Sequence, residues 1–208
     1  MEWQTLILDN LMGQNEEGLW VHSRFGFSVP RRNGKNEVVA MRELWGLKQG
    51  EAILHTAHRT STSGAAYKRL VRLLEASGIK EIRGKVKDGY KAGKSKGQEF
   101  IELSEKYGGG RVDFRTRTTT GGLGEGFDLL VIDEAQEYTD DQESTLKYTV
   151  SDSKNPQIIM CGTPPTAVSS GTVFSRFRTD CLAGELLDAG WEEWSVDQLS
   201  DQENVDLW

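Results

Sequence analysis

Residues 27–36 read FSVPRRNGKN. Phe25–Val29 has the apolar, aromatic character of a short strand. From Asn36 to about Lys48, Val38, Met41, Leu44 and Trp45 recur at helical spacing, with Gly46 and Gly50 near the end. A strand, a tight turn carrying Gly34 and Lys35, and a helix N-terminus are the parts of a phosphate cradle. Free backbone N–H groups and a lysine charge then meet the anion at the positive end of the helix. The stretch departs from G-x-x-x-x-G-K-[ST] at two positions: Val29 stands at the first glycine and Asn36 at the final hydroxyl residue, while Pro30 brings no N–H. The Asn36 side-chain oxygen can still ligate Mg²⁺, directly or through water. By itself the stretch allows two readings, a nucleotide site or a basic turn.

Two further strand ends bear on the choice. FDLLVIDEAQ (127–136) delivers adjacent carboxylates, Asp133 and Glu134, from an apolar run. In phosphate-loop ATPases such a pair divides the work, one acid at the Mg²⁺ shell and one polarising the attacking water. The plainer alternative is a strand followed by an acidic first helical turn. IIMCGTPP (158–165) ends a third apolar run in Thr163, which reads either as a turn residue before Pro164 or as a γ-phosphate sensor. Open α/β sheets bind ligands beyond the carboxyl ends of their strands, so Lys, Asp-Glu and Thr at three such ends favour one composite site.

Around these motifs, β-rich runs alternate with helical patterns, which predicts an α/β fold with a mostly parallel sheet flanked by helices. Ala52–Ala57 reads as a strand and 62–76 as a helix. Residues 83–97, basic and glycine-punctuated, read as a mobile surface loop. EFIEL and RVDFRTRT flank Lys106–Gly110 as a hairpin. The segment 139–149 reads as a helix, and a helix near 173–182 with a strand near 191–196 suggests a small lid or linker.

The chain has 208 residues, 37% hydrophobic and 27% charged, enough for one α/β domain with a large core and unlike a disordered segment. No apolar run approaches the roughly 20 residues of a membrane span, and the N-terminus lacks the basic region of a secretory signal. Cys161 and Cys181 form neither a disulfide framework nor a metal-ligand pattern with the histidines. The net charge of −7 is unevenly spread: residues 59–96 hold eleven Lys/Arg against three acids, and 180–208 hold nine acids and no Lys or Arg. Each segment is either a solvated face or a docking edge, the first for a polyanion and the second for a basic partner.

The combination of Arg31-x-x-Gly34-Lys35-Asn36, VIDEAQ and CGTPP resembles the ATPase domain of the large terminase subunit of tailed bacteriophages, most closely the HK97-like branch with its P-R-x-N-G-K loops. The likeness runs from Trp3-Gln4 to the EEWSVD stretch (192–197). It implies a RecA-like, additional-strand P-loop ATPase core over 1–180 and the start of a lid or linker subdomain over 181–208. The family's nuclease domain is expected beyond residue 208. ATP and Mg²⁺ are the implied cofactors. Lys35 would be the Walker A lysine, Arg31 the loop arginine that stabilises γ-phosphate charge, and Arg32, Asn33, Gly34 and Asn36 the rest of the nucleotide loop. Asp133 of the Walker B segment would hold the metal shell with Asn36, Glu134 would be the catalytic carboxylate, and Thr163 would lie in the coupling motif. Trp3-Gln4 resembles the adenine-recognising element.

Many relatives carry an arginine before the G-x-G-F-D approach that acts on a neighbouring subunit's nucleotide. Here that neighbourhood is TTTGGLGEGFD (118–128); Arg115 and Arg117 on the preceding strand are the nearest substitutes, and Arg117 is the one taken for the role. The implied activity is ATP-driven translocation of double-stranded DNA into a procapsid. The implied partners are the portal and procapsid, the small terminase subunit, and further copies of the chain in a ring, expected as a pentamer when assembled and as a monomer in isolation. The expected location is the host bacterial cytoplasm, outside the mature virion. Arg83, Lys85, Lys87, Lys91, Lys94 and Lys96 are candidate contacts to DNA phosphates, sequence-independent and salt-sensitive. Two alternatives accompany this reading. DEAQ resembles the acidic box of superfamily 2 helicases, which need a second RecA domain. The acidic 180–208 segment suits a nucleotide-binding docking module with little turnover.

Overall fold

The structure, a computed structural model, describes residues 2–95, 97–117 and 126–195. In chain order the elements are α1 (Glu2–Leu11), β1 (Arg24–Ser28), α2 (Lys35–Gln49), β2 (Ala52–Ala57), α3 (Thr60–Ala76), β3 (Tyr90–Gly93), β4 (Gln98–Leu103), β5 (Arg111–Thr116), β6 (Leu129–Asp133), α4 (Asp140–Leu146), β7 (Gln157–Gly162), α5 (Val173–Leu182) and β8 (Ala189–Glu193). The strands form one sheet in the order β3-β4-β5-β2-β6-β7-β1-β8. From β5 to β8 every pairing is parallel, and β3 and β4 add an antiparallel edge. The expected RecA-like α/β core is therefore present, and so is the hairpin of β4 and β5.

Side-chain alternation assigns each helix layer its face. All five residues of β6 are buried, as expected for a parallel strand covered on both sides. Leu129 and Val131 join the core under α1, α2 and α3; Leu130 and Ile132 join the core under α4 and α5. Helix α2 opens at Gly34 (φ 83) and closes at Gly50 (φ 85), whose N–H bonds back to Gly46 and Leu47 carbonyls. Both backbone positions are left-handed, where glycine carries no Cβ penalty.

Two expectations need correction. Residues 83–97 are not wholly loop, because Tyr90–Gly93 pairs antiparallel with β4. An edge strand this short needs one anchored side chain, and Tyr90 supplies it, buried with its hydroxyl donating to Glu75 Oε1 at 3.1 Å. Nor does the core end at residue 180. β8 lies parallel to β1 over its full length, Arg24 opposite Ala189 and Ser28 opposite Glu193, so it belongs to the main sheet. Gly26 makes room for it: a Cβ there would stand 2.6 Å from the Trp191 ring. Trp191 packs in turn on Phe174 of α5, ring centroids 4.9 Å apart.

One buried cation joins the layers. Arg42 of α2 is fully buried between the Trp20 and Trp45 rings, bonded in a fork to Glu51 (2.7 and 3.0 Å) and through Nε to Gln157 of β7 (2.9 Å). Substituting Arg42→Met would strand Glu51 and Gln157 without donors. We expect urea denaturation to show a loss of about 3 kcal/mol, as for a buried pair deprived of one member; a loss below about 1 kcal/mol would mean that the fork carries no net stability.

Candidate active site

The carboxyl ends of β6, β7 and β1 are neighbours, and each delivers a sequence-predicted residue to one cleft. Asp133, the last residue of β6, is buried with both oxygens engaged. Lys35 Nζ, in the first turn of α2, donates to Oδ1 at 2.7 Å, and Asn36 Nδ2 donates to Oδ2 at 2.9 Å. The Glu134 N–H and the Cys161 thiol also meet Oδ1, at 2.8 and 3.4 Å. Lys35 Nζ further donates to Asn36 Oδ1 at 2.7 Å. Burial alone would raise the Asp133 pKa, but Lys35 first, then His55 and the Glu134 N–H, hold it at about 2. Burial likewise works against the Lys35 charge, and Cys161, Asp133 and Glu134 outweigh it, so its pKa is raised. The Cys161 thiol is pushed well up by burial and by Asp133.

Glu134 occupies a left-handed backbone conformation (φ 54, ψ 47) and starts a single 3-10 turn over Ala135–Glu137. Among the described residues, it and Arg32 (φ 65) are the non-glycines with positive φ, and both line this cleft. Clustering of such strained positions is characteristic of functional sites. The Glu134 carboxylate accepts the Arg59 N–H at the head of α3, at 3.2 Å. Gln136, in the same turn, accepts the Thr163 N–H at 3.2 Å and so ties the acidic turn to the end of β7. The cleft encloses about 480 Å³, with Arg31, Arg32, Lys35, Glu134, Gln136 and Thr163 on its wall. That volume suits a small anionic ligand.

The remaining predicted residues are distributed as follows. Asn33 turns its amide back onto the Pro30 and Arg31 carbonyls within the loop. Gln4 Nε2 donates to the Gly34 carbonyl at 3.0 Å, which sets α1 against the loop, and Trp3 packs on Trp194, centroids 5.8 Å apart. Arg117 does not suit a residue that reaches a neighbouring subunit. It is buried, and its guanidinium donates to main-chain carbonyls of its own chain, those of Asp133 and Glu134 among them. The TTTGGLGE part of the arginine neighbourhood (118–125) lies outside the described residues, as does Lys96. Arg83, Lys85 and Lys87 precede β3, Lys91 lies on it and Lys94 follows it, four strands across the sheet from β6. Arg83 and Lys94 pair with Glu81, and Lys91 with Glu102, which lowers the positive field there.

Among the described residues no cluster of three or more His, Cys, Asp or Glu could hold a metal. A single buried carboxylate beside an amide oxygen fits Mg²⁺ of the kind that takes its other ligands from phosphates and water.

Sequence reading overlooked the support beneath these groups: Gln136, the Arg59 N–H, Cys161, and a buried pair in which His55 Nδ1 lies 2.6 Å from Glu43 Oε1. This pair ties α2 to β2 directly behind Lys35 and Asp133. Burial would lower the His55 pKa, but the Glu43 charge and hydrogen bond outweigh it and raise it. The sign follows: stability from the charged pair is complete below the unfolded value near 6.5 and is lost as pH rises through the elevated folded value. The destabilisation caused by His55→Phe is therefore expected to be larger at pH 6 than at pH 9 in urea melts; equal losses would show that the pair is neutral throughout.

No family model matches the sequence, and no curated protein matches it. Solved structures do resemble it. The large terminase of bacteriophage HK97 superposes with a TM-score of 0.73 at 13% identity, over 97% of this chain and 40% of that one. The large terminase of a thermophilic bacteriophage, in complex with ATP-gamma-S, superposes at 0.66 with 12% identity, over 98% and 47%. The large terminase ATPase domain of Thermus phage P74-26 does so at 0.55 with 16% identity, over 75% and 64%. The chain thus spans about two fifths of the HK97 protein and just under two thirds of the P74-26 domain. By its sheet order and these superpositions, the chain has the RecA-like ATPase fold found in phage large terminases.

Proposed function

We propose that this chain is the ATP-hydrolysing motor domain of a phage DNA-packaging terminase, acting on double-stranded DNA at a procapsid portal. The observation that carries the reading is a cleft lined by Lys35 and Glu134, with Asp133 and Asn36 bonded to Lys35 behind it, at adjacent strand ends. A likeness of fold to a terminase in complex with ATP-gamma-S supports the choice of ligand.

On this reading the triphosphate lies along the loop of residues 30–36 at the N-terminus of α2. Lys35 Nζ exchanges Asp133 for the β- and γ-phosphates. Asp133 and Asn36 are the residues that would hold Mg²⁺, and a bound ion would supply neutralisation of charge on the phosphates. Arg31, at the cleft wall, adds charge beside the γ-phosphate. Glu134 orients the attacking water and accepts its proton as the new P–O bond forms and the bond to the bridging oxygen breaks. Gln136 and Thr163 link this turn to β7, a route by which the γ-phosphate state can reach the rest of the sheet. The ring assembly, the portal and small-subunit contacts, DNA contact through the basic β3 edge, and residence in the host cytoplasm follow from the same reading.

The test is Mg²⁺-dependent release of phosphate from ATP, measured at high protein concentration with and without double-stranded DNA, beside titration with a fluorescent non-hydrolysable ATP analogue. Saturable binding with slow, DNA-stimulated turnover is expected. Absence of analogue binding would end the proposal.

A further inference from the structure

Arg117 follows β5, and its own N–H continues the ladder to the Ala57 carbonyl at 2.9 Å. Its side chain is buried, 6% exposed, and runs under the acidic turn. Nη1 donates to the Asp133 carbonyl at 2.5 Å and to the Thr56 carbonyl at 3.3 Å, and Nη2 donates to the Glu134 carbonyl at 3.0 Å. The guanidinium lies 5.6 Å from the Tyr138 ring, which closes the far side of the same turn. A buried arginine spent on main-chain carbonyls is an unusual use of a charge, because burial without a contacting carboxylate disfavours it. What those carbonyls share is their place: they flank the left-handed residue Glu134 and the neighbouring end of β2.

A residue with a Cβ keeps φ 54 only where its surroundings over-determine it. Here the main chain is gripped from below by Arg117, and the carboxylate is caught from the α3 side by the Arg59 N–H. Two anchors on different elements fix both ends of the Glu134 side chain. A planar fork is needed for the lower one, since a lysine ammonium on a flexible stem would not span carbonyls from β2 and from two successive residues of the turn.

We infer that Arg117 is the positioning residue for Glu134: its guanidinium, bonded to the Asp133, Glu134 and Thr56 carbonyls, holds the strained turn that aims the Glu134 carboxylate into the cleft. The inference rests on the ATPase reading and assigns Arg117 a role within its own subunit, where the sequence had suggested action on a neighbour.

The experiment compares wild type, Arg117→Ala, Arg117→Lys, Glu134→Gln and the doubly substituted chains in single-turnover ATP hydrolysis, with affinity for the fluorescent ATP analogue measured alongside. Arg117→Ala is expected to lower kcat about 100-fold while changing analogue affinity less than about threefold, the split of a group acting on the chemical step. Arg117→Lys is expected to recover little of it, and low-millimolar guanidinium to restore Arg117→Ala at least about tenfold. In the Glu134→Gln background, Arg117→Ala should cost less than about threefold more, because its effect passes through the missing carboxylate. Full additivity, a parallel loss of analogue affinity, or unaltered hydrolysis would each overturn the inference. Should Arg117→Ala fail to fold, Arg117→Lys, which keeps charge and stem, carries the same cycle. An active wild type with indifferent Arg117 variants removes this inference alone; a wild type that neither binds nor hydrolyses ATP removes the ATPase reading and this inference with it.

Discussion

Glu134→Gln is expected to abolish multiple turnover while leaving ATP bound. Glutamine keeps the volume of glutamate and an oxygen that can accept the Arg59 N–H, and the carbonyls bonded to Arg117 belong to the main chain. The turn therefore survives, and what is lost is the oxygen that, on the proposed reading, takes a proton from water. Removal of a general base of this kind costs about 10³-fold, or roughly 4 kcal/mol at the transition state. Single-turnover hydrolysis should fall by that order while analogue affinity stays within about threefold. A Glu134→Gln chain that hydrolyses ATP at the wild-type rate would remove Glu134 from the chemistry.

Lys35→Ala is expected to act twice. On the proposed reading it deletes the cation that meets the phosphates, and analogue affinity should drop at least about 100-fold, the worth of a charged hydrogen bond or two in a water-poor cleft. It also leaves Asp133 buried without its cation, a state that costs about 2–3 kcal/mol in the nucleotide-free protein. The two effects separate in a double substitution. Lys35→Ala with Asp133→Asn should regain most of the stability in urea melts, since no buried charge remains, yet still fail to bind the analogue. Recovery of both, or of neither, would show that the Lys35–Asp133 pair is not the link between the two effects.

Much of this site was legible because its chemistry sits where regular structure stops. Apolar runs of four or five residues announced β1, β6 and β7, and the residue types just past their ends are the ones the fold gathers around one cleft. Less visible were groups whose role depends on long-range neighbours. Tyr90 made a strand out of a basic, glycine-rich stretch only because β4 offered a ladder and Glu75 an acceptor. β8 was assigned to a lid since its alternation is weak, and its membership of the sheet depends on Gly26, far earlier in the chain, clearing space for it. Arg117 was read from its nearness to an expected motif, and its guanidinium proved to point inward. His55 and Glu43 are ordinary residues of a strand and a helix until the fold sets them 2.6 Å apart.

The place of β1 in the sheet has a consequence for how the protein comes into being. β1 is made early in synthesis, but its neighbours β7 and β8 begin at Gln157 and Ala189. At about 5–20 residues per second, a ribosome needs on the order of ten seconds or more to supply them. Until then the strand that feeds the loop of residues 30–36 has neither of its partners, while β2 and β5, close in sequence, can already pair. The loop is thus completed last, and only a chain whose sheet has closed presents the cleft around Lys35.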